Sequence, residues 1–397
     1  MQGKSCAVVL GGNINGYSII RELNEKKITD ILNFDSEKSF SAYSNKIFKF
    51  ELIDDSPESL IKALKKYHEI YSYMVIFPTA DFHLENLYQL YPEIHSFCFV
   101  PFNFKNFNNC LNKQYQYQYC EKLGIPYPKT VYIETIDDLN HISRLQFPII
   151  IKPNKKHEKK KDWKINIFRN IQVTSIDEID RIREKIQPLI SSGISFLASE
   201  IIPGDGSNIY AYVGYRNRKG EIINEWTGKK LAQFPHDFGV FSSASNQAPD
   251  VVLQQGRILL EGMDLSGIAE PEFKFDHRDG KYKLMEINLR SMMWHRVGNL
   301  SGVNIQFTQY LDAIGEKPVK QTQIKNVDIH FVYFEHEFIN LLTRKNYLRI
   351  FLKNIFSSDK TCFGVLNFQD ILPFFAEIRH IIVMVLQRVA RQYNTTT

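Results

Sequence analysis

The chain has 397 residues, 44% of them hydrophobic and 23% charged, with a mean hydropathy of −0.28. That length exceeds one compact core and predicts two or three domains of ordinary globular character. A net charge of +5 is too mild to call for nucleic acid and suits a small acidic ligand or loose attraction to an anionic surface equally well.

The five cysteines (Cys6, Cys98, Cys110, Cys120, Cys362) are scattered, without a CxxC pair or a histidine cluster at metal spacing. Reduced thiols in a cytoplasmic protein are the expectation. Ala7–Leu10 is a short apolar run broken at Gly11-Gly12, which suits a buried strand and not a signal peptide. The most apolar long segment, Ile371–Ala390, is interrupted by Glu377, Arg379, His380, Gln387 and Arg388 and does not read as a membrane span.

Along residues 1–100, strands and helices alternate. Strands are predicted at Cys6–Leu10, Ile31–Phe34 and Tyr73–Phe77, and helices at about Gly16–Lys26 and Ser56–Tyr71. This rhythm implies a parallel sheet with helices on its faces, ligands being expected at the carboxyl ends of its strands. Gly11-Gly12-Asn13-Ile14-Asn15-Gly16 is a poor dinucleotide fingerprint and reads as a tight turn. Asp81, after Phe77-Pro-Thr-Ala, reads first as a turn-stabilising residue.

Residues 103–123 are expected to form a helical connector, and Gly124-Ile-Pro-Tyr-Pro opens a new unit. The lysine-rich run 155–161 reads as a solvated loop. Ser175–Gln187 is expected to be a helix whose Ser175 and Glu178 form a capping box. Strands follow at Phe196–Ile202, Ile209–Arg216 and Glu221–Gly228, with Lys229-Lys230 expected at a strand end. Beyond a helix at Asn304–Ile314 and a strand near Phe331–Phe334 the chain reads as mainly helical.

Between them lies the most informative stretch, Glu272 to Arg290, which reads as a β-hairpin turning at Asp279-Gly280. Met285, Ile287 and Leu289 share one face, so Glu286, Asn288 and Arg290 share the other. A loop of odd length centred on Asp279 places Glu272 opposite Glu286. Two opposed carboxylates destabilise a sheet unless a hard cation lies between them, and carboxylate and amide oxygens suit Mg²⁺. The outline is that of a nucleotide-phosphate site.

Further pieces precede the hairpin in order: Lys113 before a helix, Phe147-Pro-Ile-Ile-Ile-Lys152-Pro, Ser199-Glu200-Ile-Ile-Pro-Gly-Asp205, and Lys229-Lys230 before Phe234-Pro-His-Asp-Phe-Gly239. Taken together the series resembles the ATP-grasp superfamily from the first strand to about Gly315, closest in flavour to D-aspartate-ligase-like and surface-polysaccharide-associated carboxylate–amine ligases. The resemblance implies an α/β and α+β chain with a pre-ATP-grasp domain at 1–110, an ATP-grasp domain at 111–318 with a lid at about 125–200, and a helical extension at 319–397. It further implies that Lys113 and Lys152 contact the ATP phosphates, while Glu200 and Ile202 offer backbone groups to adenine and Asp205 reaches the ribose. Glu272, Glu286 and Asn288 would hold one or two Mg²⁺ or Mn²⁺ ions. Arg290 would neutralise the charge of the transferring phosphoryl group, and Lys229 or Lys230 would lie near the acyl phosphate or acceptor. The 155–161 run departs from the Gly/Ser-rich phosphate loop of the family.

The implied reaction is ATP-dependent amide formation through an acyl phosphate, joining an amino acid to a cell-envelope precursor such as a peptidoglycan peptide or a uronic-acid glycan. A phosphotransferase acting on a small molecule or glycan, or a catalytically inactive nucleotide-binding protein, are the alternatives. Trp294, His295 and Arg296 either line the acceptor pocket or belong to the core. Residues 371–390 either pack on the ligase core or lie on the inner membrane face, and a two-fold dimer is the default assembly.

Overall fold

The computed structural model describes residues 4–154, 168, 170–236 and 238–394; the lysine-rich run expected to cover phosphates lies outside them. Three sheets organise the described residues. The first is parallel, ordered β3-β2-β1-β4-β5, from β1 (Ser5–Leu10), β2 (Ile31–Asp35), β3 (Lys49–Leu52), β4 (Tyr73–Pro78) and β5 (Cys98–Phe99). Helices α1 (Ile14–Glu25), α2 (Pro57–His68) and α3 (Asp81–Ile94) connect these strands. β1, apolar and buried from Cys6 to Leu10, is covered on both faces, as a central parallel strand must be.

After the short α4 (Phe107–Cys110), α5 (Lys113–Leu123) leads to the second sheet and ends at Gly124, whose φ of +69° closes the helix in a left-handed cap. That sheet is antiparallel, ordered β6-β9-β7-β8, with β6 (Thr130–Ile133), β7 (Ile149–Pro153), β8 (Ile171–Val173) and β9 (Phe196–Glu200). Its helix α6 (Ile179–Ser191) starts later than the sequence pattern implies, after a turn of 3₁₀ helix. Glu178 reaches back to the N–H of Thr174 at 2.8 Å, so the expected capping partner, Ser175, is displaced by one residue.

The third sheet has seven strands, ordered β14-β13-β10-β11-β12-β15-β16. They are β10 (Ile209–Arg216), β11 (Ile222–Phe234), β12 (Val240–Ser245), β13 (Gly267–Asp276), β14 (Lys281–Asn288), β15 (Ile329–Val332) and β16 (Lys360–Phe363). α7 (Asp250–Gly262) packs on one face against Tyr212 and Phe273, while α8 (Arg296–Leu300) and α9 (Ile305–Ala313) follow the hairpin. β11 runs through Lys229 and Lys230 to Phe234, so the lysine pair is internal to a strand and not at its end. The chain beyond residue 319 supplies β15 and β16 to this sheet besides α10 (Phe334–Thr343), α11 (Leu348–Phe356) and α12 (Leu372–Asn394). All five cysteines are buried and unpaired, and no helix among the described residues is long and apolar enough to cross a membrane.

Candidate active site

The hairpin β13–β14 pairs Glu272 with Glu286 and Glu270 with Asn288. The connecting loop is not odd, because Asp276 pairs with Lys281 across four residues. A bulge restores the register instead: Phe273 pairs with Leu284, so Met285 is the extra residue. The bulge also turns Leu284 and Ile287, three residues apart, into one apolar core while Glu286 and Asn288 keep the opposite face. Asp276 at the hairpin end, wholly buried, receives Arg278 and Lys283 at 2.7 Å each, which holds its carboxyl far below the usual range.

Register carries this row across the sheet: Glu286, Glu272, Ala211 and Gly228 lie abreast on four strands. Gly228 is required there, because a Cβ would come within 2.5 Å of the Trp294 ring. Lys230, two residues from Gly228, shares this face, is 3% exposed and donates to Gly239 O at 3.2 Å. Lys229 faces the other way, over the Tyr210 ring at 5.4 Å. The period-2 rule thus separates two neighbours that the sequence left equivalent.

Lys113 and Lys152, 39 residues apart, are brought together by Asn154. Its carbonyl accepts from Lys113 N–H at 3.2 Å, and its side chain accepts from Gln114 N–H at 3.0 Å, capping α5 from the end of β7. The Lys152 ammonium lies 5.9 Å from the Tyr117 ring, one turn along α5 from Lys113. α5 is in turn fixed on the edge strand β14: Ile287 N–H donates to Gln116 Oε1 at 3.2 Å, and Tyr117 OH donates to Met285 O at 3.1 Å. Covering the edge this way satisfies its backbone and seats Lys113 beside Glu286, in a pocket completed by Asp81, Glu85, Leu111, Gln116 and Ile287.

Arg290, at the end of the hairpin, donates through Nε to Asp81 Oδ1 at 2.7 Å, each side chain being 10% exposed. Asp81, the first residue of α3, therefore ties the parallel sheet to this site. Glu200 sits at the end of β9; its N–H donates to Lys129 O at 3.0 Å and its carboxylate accepts from Gln146 N–H at 3.0 Å. Ile202 follows, 2% exposed. Asp205 caps the turn at Gly206–Asn208 by accepting from Ser207 N–H at 2.9 Å, and this bonding with Ser207 lowers its pKa.

Two residues of this face went unread in the sequence although period 2 from Glu272 marks both. Glu270 is fully buried and bonded to His295 Nε2 at 2.6 Å. Burial pushes the Glu270 carboxyl up and the His295 imidazole down. Lys274, half-buried, donates to Gly204 O at 2.6 Å, and burial lowers its pKa, with Lys230 adding to the effect. Trp294 belongs to the core, stacked on Phe241 at 4.6 Å and edge-on to Trp226 at 4.7 Å. Arg296 forks onto Glu25 at 2.6 and 2.8 Å and does not open into a pocket.

Among the described residues, no three histidine, cysteine or acidic side chains converge as a closed metal cage. The donor set offered is two carboxylates and an amide, with Asn288 Nδ2 donating to Glu272 Oε1 at 3.0 Å. Oxygen donors that few fit Mg²⁺, which keeps waters and phosphate oxygens in most of its shell.

No family profile matches the chain. It is 25% identical over 330 residues to D-aspartate ligase of Enterococcus faecium (strain Aus0004), covering 79% of this chain and 78% of that one. Among solved structures, an N5-carboxyaminoimidazole ribonucleotide synthetase in complex with ADP superposes with a TM-score of 0.62 at 17% identity, over 88% of this chain and 86% of the other. Biotin carboxylase from Campylobacter jejuni, solved with an ATP analogue, gives 0.63 at 14% identity over 81% and 74%. L-amino acid ligase from Bacillus licheniformis gives 0.56 at 13% over 81% and 76%. The chain has the ATP-grasp fold of these structures. The second sheet lies between residues 130 and 200, and the seven-stranded sheet carries the carboxylate face.

Proposed function

We propose that the protein forms an amide between an amino acid and a cell-envelope precursor, a peptidoglycan peptide or a uronic-acid glycan, at the expense of ATP. The observation that carries this reading is the Glu272–Glu286 rung with Asn288 beside it, set next to Lys113 and Arg290. The name of the Enterococcus relative points to an aspartate as the acid.

A carboxylate oxygen of the acid attacks the γ-phosphorus of ATP, the bond to the β–γ bridging oxygen breaks, and ADP leaves. The amine nitrogen then attacks the acyl phosphate carbon; the C–O bond breaks, inorganic phosphate departs and the amine loses its proton to solvent. Lys113 and Lys152 supply point charges to the triphosphate, and backbone groups of Glu200 and Ile202 border the base, with Asp205 near the ribose. Glu272, Glu286 and Asn288 would hold Mg²⁺, which when bound neutralises phosphate charge. Arg290 presents its guanidinium where charge builds on the transferring phosphoryl group, oriented by Asp81, and Lys230 shares that sheet face. Positioning and electrostatics suffice here, so no nucleophilic side chain is needed.

The test is ADP release screened over amino acids, D- and L-aspartate included, paired with peptidoglycan peptides and uronic-acid nucleotides, with mass detection of the product. An amide is the expected product, whereas a stable phosphorylated acceptor would replace this reading with a phosphotransferase. Glu286→Gln should lower turnover by roughly a hundredfold or more, and chelation of divalent cations should do the same. Full turnover in Glu286→Gln removes the metal assignment.

A further inference from the structure

Helix α11 is apolar on two sides. An amphipathic helix on a globular protein turns its apolar stripe inward, and the inward side of α11 already carries half-buried Phe351 and Ile355 beside Asn354, 4% exposed, and Tyr347 at 2%. Polar bonds hold that side: His330 Nδ1–H donates to Asn354 O at 2.8 Å, and Tyr347 OH donates to Glu337 at 2.9 Å. Leu348, Leu352 and Phe356, spaced by four, form a stripe on the outward side and are 55%, 44% and 76% exposed. Leu342, at the end of α10, is 66% exposed. Three large side chains aligned on one short helix and left in water form a patch, not scattered exposure.

Charge decides what covers it. Between Leu342 and Phe356 the sequence holds Arg344, Lys345, Arg349 and Lys353 and not one acidic residue. On a helical projection Arg349 and Lys353 fall directly beside the Leu348–Leu352–Phe356 stripe. A second copy laid on this face would bring those cations against their own kind. An anionic lipid surface satisfies both halves, taking the apolar stripe below the headgroups and pairing the cations with them. We infer that α11 is an interfacial helix that docks the protein on an anionic lipid surface. The inference rests on neither the ligase reading nor the helix beyond residue 371.

The experiment is co-sedimentation of the full chain with vesicles of phosphatidylcholine alone or of phosphatidylcholine mixed with phosphatidylglycerol, at low and high salt. Binding is expected to the anionic vesicles, to weaken with salt and to be weak on neutral ones. Leu348→Asp with Leu352→Asp should abolish it. Arg349→Gln and Lys353→Gln, which leave the stripe intact, should each weaken it roughly fivefold. Circular dichroism and the thermal midpoint, expected to match the parent chain, report folding independently of any activity. No binding to anionic vesicles, or binding unchanged by the leucine pair, overturns the inference. So does a lipid-independent dimer that the leucine pair dissociates, which would assign the face to a second copy.

Discussion

Glu377 on α12 is 1% exposed, and neither of its carboxylate oxygens meets a hydrogen-bond partner among the described residues. Burial, with Glu335 adding to it, pushes its pKa from 4.5 up to about 8. Between those values the folded chain holds a proton that the unfolded chain has released, so stability falls as pH rises. The contribution is complete below about pH 4.5 and lost by about pH 8, on the order of 3–5 kcal/mol. Glu377→Gln should therefore leave the thermal midpoint at pH 5 nearly unchanged and raise it at pH 8. A midpoint that drops at pH 8 would show that the carboxylate is ionised and paired there. The Glu272–Glu286 rung poses the same problem, two carboxylates abreast, in a place where a cation rather than a proton is the expected remedy.

Between elements, the decisive contact is the one that Asn154 makes from the end of β7 to the start of α5. It draws the strand end that carries Lys152 against the helix start that carries Lys113. Asn154→Ala should cost about 1 kcal/mol of stability through the lost cap and raise the KM for ATP several-fold, with a smaller change in kcat. An unchanged KM would mean that Lys113 and Lys152 keep their places without it. The hairpin teaches a related point about legibility. Its two arms and its facing carboxylates are written in an alternating pattern, but the way they come into register is not. The four-residue loop and the Met285 bulge are alternatives to an odd loop that no alternation distinguishes.

At the scale of the molecule, the C-terminal segment works as a strap. β15 and β16 extend the seven-stranded sheet, and beyond them Asp370 is seated in the first domain. Its carboxylate accepts from Tyr17 OH at 3.0 Å, Ser44 Oγ at 2.5 Å and Asn45 N–H at 3.0 Å. Arg21 on α1 answers by donating to Phe363 O at 3.1 Å and Gly364 O at 3.2 Å. Asp370→Ala strands several buried donors, each costing about 1–3 kcal/mol. Its thermal midpoint should fall by several degrees, and trypsin should cut within Arg344–Lys353 sooner than in the parent chain. Equal cleavage rates would show that the strap holds without this carboxylate.

The βαβ rhythm of the first hundred residues, the hairpin and the paired Glu272 and Glu286 were legible without coordinates, because side-chain periodicity is a local property of strands and helices. Parity alone could also have marked Glu270 and Lys274. What needed the tertiary structure were relations between distant segments: Asp81 reaching Arg290, Asn154 joining two lysines, Trp294 sinking into the core over Gly228, Glu270 meeting His295. Burial and partners across the fold, not local pattern, set the charge and direction of those side chains. The sequence by itself therefore determined which chemistry the chain can offer, and only the packed structure decided which of its groups meet and in what protonation state.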